Sequence, residues 1–145
     1  MSLKFHEMTI DAYLSVLGST APAPGGGAAA GLIGAQACAL GEMVSRLSSS
    51  GKNTDDFREK AEQYAAIFES ARSIFLDLMD EDAKNFCELM VLLQSPRDPA
   101  DTKRKENLEA AFKKSAEAPY QMADAMSGLL PAFTQLLLHC NKNVI

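Results

Sequence analysis

The segment Pro22-Ala23-Pro24-Gly25-Gly26-Gly27 runs directly into a stretch of small residues, Ala28 to Gly41, and the reading of that junction decides the fold. Two prolines ahead of three glycines form a turn that can adopt backbone angles other residues avoid. The stretch that follows has no proline and is rich in alanine, which predicts a helix. The turn therefore lies just before a helix N-terminus, where unpaired N–H groups and the positive end of the dipole favour anions or carbonyl oxygens. On that ground Pro24, Gly25, Gly26 and Gly27 form a candidate ligand cradle.

Gly27, Gly31, Gly34, Cys38 and Gly41 recur at three- or four-residue steps, so one face of this helix carries only small side chains. The other side, Ala29, Ile33, Leu40, Val44 and Leu47, reads as the core stripe. Glycine inside a helix costs up to about 1 kcal/mol relative to alanine. A helix that spends several of them implies another backbone at close range, in a neighbouring helix or a second subunit. A ligand lying on the small face is the alternative. Gln36 and Glu42 interrupt the segment and argue against a membrane span.

Working outward, Thr9 is placed to cap a short helix with Asp11 in its first turn, Ile10, Tyr13, Leu14 and Leu17 as its apolar side and Gly18 at its end. Ser48 to Asn53 reads as a loop. Thr54 then opens the longest periodic segment, reaching Gln94, with a stripe of Tyr64, Phe68, Ala71, Phe75, Leu78, Met79, Phe86, Leu89, Met90 and Leu93. Ser95-Pro96-Arg97-Asp98-Pro99 breaks the chain. A charged amphipathic helix is expected from Asp101 to Glu117, kinked or restarted at Pro119, followed by an apolar helix to His139 with Pro131 inside it. No segment alternates with period two. The expected fold is all-α: one domain over residues 1–145, an antiparallel helical bundle around one long central helix.

The bulk numbers fit that expectation. The 145 residues can bury a core, and 47% hydrophobic with 23% charged residues is a globular composition. A net charge of −5 without any basic run excludes nucleic acid as an obvious partner. Cys38, Cys87 and Cys140 lie far apart with no metal-ligand spacing, and an odd count suits reduced thiols. The start, Met1 to Phe5, lacks the apolar core of a signal peptide. A soluble, cytoplasmic protein with no metal is the expectation. The end, Leu136 to Ile145, is apolar without a polar tail and reads as a chain cut before its next element.

Asp80-Glu81-Asp82 lies in the middle of the long helix. Residues two apart point to nearly opposite sides, so the three carboxylates cannot form one cluster. Asp82 falls one turn after Leu78 and Met79 and one before Phe86, interrupting the apolar face, while Asp80 aligns with Asp77 and Lys84 on the polar side. A carboxylate at Asp82 should be partly desolvated, with a raised pKa suited to general acid/base chemistry. The bland alternative is an aspartate satisfied by a lysine or a helix end. His6 reads as a surface or N-terminal contact and His139 as a helix-end residue. Gly25-x-Gly27-x-x-Ala30 has no preceding strand and is not a dinucleotide fingerprint, and no Gly-Lys-Ser/Thr marks a P-loop.

These residues together resemble a family. Thr20 to Gly27 with the alanines after it, then Met43-Val44 and Gly51-Lys52, is similar to the opening of the cyclodeaminase/cyclohydrolase family of folate enzymes. Asp80-Glu81-Asp82-Ala83 with Phe86 resembles its second motif, Ala116-x-x-Pro119 its third, and Asn141-Lys142-Asn143 the start of a fourth. The resemblance spans essentially the whole chain in the right order. Ala28 stands where the family has serine, and the family continues past the Asn-x-Asn region into a Ser-Asp motif and a further helix, whereas this chain stops at Ile145.

The resemblance implies an all-α homodimer acting on a tetrahydrofolate derivative, with no metal and no tightly bound cofactor. The implied reaction closes 5-formiminotetrahydrofolate to 5,10-methenyltetrahydrofolate with loss of ammonia; hydrolysis of the methenyl compound at the same site is one alternative, and a non-catalytic dimerisation module another. Asp82 is the implied acid/base, with Asp80 a second candidate. Pro24 to Gly27 would bind a pterin carbonyl or a glutamate-tail carboxylate, with Lys52 and Asn141 as further substrate contacts.

Overall fold

The structure, a computed structural model, describes residues 4–50, 55–96 and 102–140. A 3₁₀ turn at Phe5–Glu7 leads into helix α1 (Ile10–Leu17); α2 (Gly26–Ser49), α3 (Asp55–Gln94) and α4 (Arg104–His139) follow. No strand occurs among the described residues, and the fold is the expected all-α bundle with α3 as its central helix. Local chemistry sets the boundaries. Thr9 Oγ1 accepts a hydrogen bond from the Ala12 N–H at 3.2 Å and so caps α1, and Gly18 ends it. Arg104 donates to the Leu92 carbonyl at 3.2 Å and to Ser95 Oγ at 2.7 Å, closing the far end of α3. Thr54 and the loop beyond Ser50 lie outside the described residues.

The glycine face of α2 is what packs on α3. A Cβ built on Gly31 would lie 3.0 Å from Met79 Cβ, one on Gly34 would lie 2.5 Å from the Phe75 ring, and one on Gly41 would lie 3.0 Å from the Phe68 ring. As the glycines climb α2, their partners descend α3 by the same three- to seven-residue steps, which is antiparallel register. Phe68, Phe75 and Met79 are the largest fully or almost fully buried side chains of the core, and α2 makes room for them by having no side chain opposite. The small stripe is thus close packing within one chain.

This corrects the expected core stripe. Ile33 and Leu40 are 65% and 59% exposed, and Leu47 is exposed as well, while Ala28, Gly31, Gly34, Ala35, Cys38, Gly41, Ser45 and Ser48 are buried. Hydrophobicity alone would point the large side chains inward; the helix points them outward because the closest approach of two backbones is along the glycines. Similar shifts occur elsewhere. On α1, Tyr13 is buried while Ile10 and Leu14 are exposed. On α3, Phe86 and Leu93 are exposed, and the inward line passes through Asp82, Asn85 and Leu89 instead. Asn85 explains its own burial: its Nδ2 donates to the Lys114 carbonyl, and Ser115 Oγ donates to the Asn85 carbonyl, tying α3 to α4.

Helix α4 runs antiparallel to α3, with Phe133 against Phe68 at a ring separation of 4.6 Å and His139 against Phe57 at 5.4 Å. It is one helix, with Pro119 and Pro131 both inside it, rather than two. Each proline removes one backbone donor, and burial of Ala118, Met122, Leu129, Ala132 and Leu136 against the core spans both sites and holds the axis together.

The packing makes a two-sided prediction. Gly34→Ala pushes a methyl into Phe75 and should destabilise the fold by about 1–3 kcal/mol. Gly128→Ala on α4, where a Cβ meets nothing within 4 Å, should stabilise it by up to about 1 kcal/mol. Chemical denaturation of both variants measures the contrast.

Candidate functional site

The same α2–α3 register, continued one turn beyond Gly31 and Met79, brings Gly27 against Asp82. A Cβ on Gly27 would collide with the Asp82 carboxylate. The side chain that meets the first turn of α2 is therefore an acid, where the earlier rungs have Met79, Phe75 and Phe68. Asp82 is only 9% exposed. Burial pushes its pKa above the ordinary carboxylate range, and a hydrogen bond from the Ala28 N–H partly opposes that shift. The carboxylate thus uses a donor that a helix N-terminus leaves unpaired. No ion pair to Asp82 forms among the described residues, so the lysine of the bland alternative is not found, whereas its helix end is: the carboxylate accepts the Ala28 N–H in the first turn of α2.

The turn ahead of α2 is built as its sequence suggests. Ala23 and Pro24 are buried and joined by a cis peptide bond. Gly25 is the N-cap residue in extended conformation, and its carbonyl accepts the Ala29 N–H at 3.0 Å. Cβ atoms on Gly25 and Gly26 would meet nothing within 4 Å, so this part of the turn is open where Gly27 is crowded. The structure brings Gly27 and Asp82 together, with Pro24, Gly25 and Gly26 in the adjoining turn.

Asp80 is elsewhere. Its Oδ1 accepts the Phe5 N–H at 2.7 Å and its Oδ2 lies 2.6 Å from His6 Nδ1, so it anchors the N-terminal 3₁₀ turn to α3. The two acids, two residues apart, serve different elements, as helix geometry requires. Lys52 and Asn141 lie outside the described residues. Among the described residues no group of three His, Cys, Asp or Glu side chains is arranged to hold a metal ion.

One polar group near the site was not legible in the sequence. Tyr13, 3% exposed, packs in the small cluster of Phe5, Ala23, Ala28, Met79 and Ala83 that surrounds the Gly27–Asp82 contact. Its hydroxyl is buried without a hydrogen-bond partner. Burial first, and then the negative charge of Asp82, push the phenol pKa up, so the hydroxyl stays protonated and within electrostatic reach of the carboxylate. In the sequence Tyr13 is simply one member of an apolar stripe. The available signal was a phenol placed one short helix ahead of the glycine turn.

A sequence model of formiminotransferase-cyclodeaminase matches residues 9–145, nearly the whole chain. The chain belongs to that family. Within the formiminotransferase-cyclodeaminase family it is similar to the formimidoyltransferase-cyclodeaminase of Rattus norvegicus, 23% identical over 132 residues, covering 90% of this chain and 24% of the relative. It is also similar to the methenyltetrahydrofolate cyclohydrolase of Methylorubrum extorquens, 29% identical over 113 residues, covering 77% of this chain and 54% of the relative. The crystal structure of formiminotetrahydrofolate cyclodeaminase from Thermotoga maritima superposes with a TM-score of 0.84 at 28% identity, covering 95% of this chain and 66% of that one. The chain spans between about a quarter and two thirds of the length of these relatives. The glycine turn and Asp82 fall inside the span that the family model matches.

The raised pKa of Asp82 has a stability consequence. Between the ordinary carboxylate pKa and the raised one, the folded chain holds a proton that the unfolded chain has lost, so stability falls as pH rises through that window. Asp82→Asn removes the titration and keeps an acceptor for the Ala28 N–H. Its melting temperature at neutral pH should equal or exceed that of the parent, and the difference should shrink as the pH is lowered through the window. A pH series of thermal melts checks this.

Proposed function

We propose that this chain carries a folate one-carbon site, closing 5-formiminotetrahydrofolate to 5,10-methenyltetrahydrofolate with release of ammonia. The observation that carries the reading is the Asp82 carboxylate, buried, free of any ion pair among the described residues and packed on Gly27 at the start of α2. Membership of the formiminotransferase-cyclodeaminase family and the printed activities of the relatives support it.

The chemistry needs one group that can take a proton and give it back. Starting from the protonated formimino group, N10 attacks the formimino carbon and the C=N electron pair moves onto the exocyclic nitrogen. Asp82 takes the proton from N10 and returns it to that nitrogen; the C–N bond then breaks with its electron pair and ammonia leaves. A carboxylate with a raised pKa is matched to both transfers. The open backbone of Gly25 and Gly26 beside Pro24, at the positive end of the α2 dipole, would hold a pterin carbonyl or a glutamate-tail carboxylate, and so fix N10 at attacking distance. Lys52 and Asn141 are proposed as further substrate contacts. Asp80, with its carboxylate given to the Phe5 N–H and His6, is the weaker candidate for catalysis. The similarity to a methenyltetrahydrofolate cyclohydrolase favours a second reading, in which Asp82 takes a proton from water as it attacks the methenyl carbon.

We also propose that the chain works as a soluble, cytoplasmic homodimer, with neither nucleic acid nor membrane as partner. The outer face of α2 supports this. Ile33, Leu40, Met43 and Leu47 are exposed along it, and Leu40 and Met43 share an apolar groove with Phe133, Leu136 and Leu137 of α4. Helix α2 is long and apolar enough to cross a membrane by length and composition. Glu42, midway along it, pairs with Arg46 at 2.8 Å and Arg72 at 3.4 Å, which suits a protein–protein contact better than a lipid one.

Calorimetric titration with 5-formyltetrahydrofolate should give saturable binding that Asp82→Ala weakens, and Asp82→Asn should lower turnover by about 10²–10⁴-fold in assays of ammonia release and methenyl formation. Full activity of Asp82→Asn would remove Asp82 from the mechanism. Leu40→Glu should shift the mass measured by light scattering from dimer to monomer; an unchanged mass would place any dimer contact elsewhere.

A further inference from the structure

We infer that Tyr13 is a second polar group of this site, its hydroxyl donating a hydrogen bond to the one-carbon substituent of the bound folate beside Asp82. The inference rests on the folate reading above and deepens it. Its basis is an unmet hydrogen-bonding group in an otherwise apolar cluster. The Tyr13 hydroxyl has no partner, although the ring is 3% exposed and packed among Ala23, Ala28, Met79 and Ala83. A buried hydroxyl left unpaired is unfavourable for the free protein, and phenylalanine would fill the same space without that cost. The unpaired oxygen is therefore free to serve a ligand.

The neighbours say what that use is. Ala28 supplies the N–H that Asp82 accepts, Ala83 follows Asp82 on α3, and Ala23 precedes the Pro24 turn, so the cluster around Tyr13 is the wall of the candidate site. Asp82 and Tyr13 are complementary: an ionised carboxylate only accepts hydrogen bonds, whereas a neutral phenol can donate. A formyl group on N5 presents an acceptor oxygen next to its carbon, and the exocyclic nitrogen of the protonated formimino group becomes an acceptor as the attack of N10 moves the C=N pair onto it. With Asp82 serving the N–H of N10, the hydroxyl is the donor left to meet that acceptor and hold the carbon against N10. In the free protein the hydroxyl is buried, so the ligand reaches it as α1 yields. That helix has eight residues and is held through Tyr13, Val16 and Leu17, with its outer residues Ile10 and Leu14 in solvent.

Tyr13→Phe tests the inference, with 5-formyltetrahydrofolate and unsubstituted tetrahydrofolate as paired probes, since the formyl oxygen stands in for the atom the hydroxyl would hold. In calorimetric titrations of the full chain, the parent should bind the formyl compound more tightly. The variant should lose about tenfold in affinity for it, keep its affinity for tetrahydrofolate within about twofold, and melt no lower than the parent. Equal losses for both probes, or none for either, would overturn the inference. A lower melting temperature would also overturn it, because the hydroxyl would then have a structural partner. If the parent itself binds neither probe, the folate reading fails and the role of Tyr13 falls with it, a result distinct from a parent that binds and a variant that binds equally well.

Discussion

The structure depends on the close approach of α2 and α3. Gly31, Gly34 and Gly41 present bare backbone, and Met79, Phe75 and Phe68 press into it at distances that leave no room for a methyl group. Each glycine weakens α2 as an isolated helix, by up to about 1 kcal/mol relative to alanine. The return is dispersion contact between large side chains of one helix and the backbone of the other, at the density of a well-packed interior. Everything else is positioned from this seam: α4 packs beside both helices, on α3 through Phe133 and Asn85 and on α2 through Met122 at Gly31, and the N-terminal turn docks on α3 through Asp80.

The candidate site is the last rung of the same ladder. At Gly27 the side chain coming across from α3 is Asp82. Close packing that excludes solvent from Phe75 also excludes it from this carboxylate, and the Ala28 N–H at the helix start compensates only part of the lost hydration. Burial and the proposed function share one cause here. A packing seam that would stabilise any side chain of the right shape has been given a titratable one, at the one point where the partner helix begins and has free backbone donors to offer. Tyr13, brought in by α1, packs against the neighbouring residues Ala28 and Ala83 with an apolar ring and an unsatisfied hydroxyl.

Packing the glycine face inward leaves the large apolar residues of α2 on the outside. Ile33, Leu40, Met43 and Leu47 form a continuous exposed strip, joined by the apolar groove against α4. The helix has two apolar faces of different kinds, a smooth one used within the chain and a bulky one facing away from it. Contiguous apolar surface of this kind is what the proposed dimer would bury.

The sequence by itself determined the α3 boundary at Gln94, the glycine turn that leads into α2 and the placing of Asp82 and Asp80 on different sides of α3. Those features follow from local rules: capping, proline breaks, helical periodicity and the opposed directions of residues two apart. Tertiary structure alone decided which face of α2 is core, because glycine's advantage is the nearness of a partner, which hydrophobicity does not record. It decided that α4 runs unbroken through Pro119, because burial on both sides of that proline outweighs a missing hydrogen bond. It placed Phe86 outside and Asn85 inside, because the Lys114 carbonyl and Ser115 meet the asparagine from α4. It also brought Tyr13 within electrostatic reach of Asp82, 69 positions further along the chain, by packing α1 on Met79 and Ala83 of α3, which no local pattern carries.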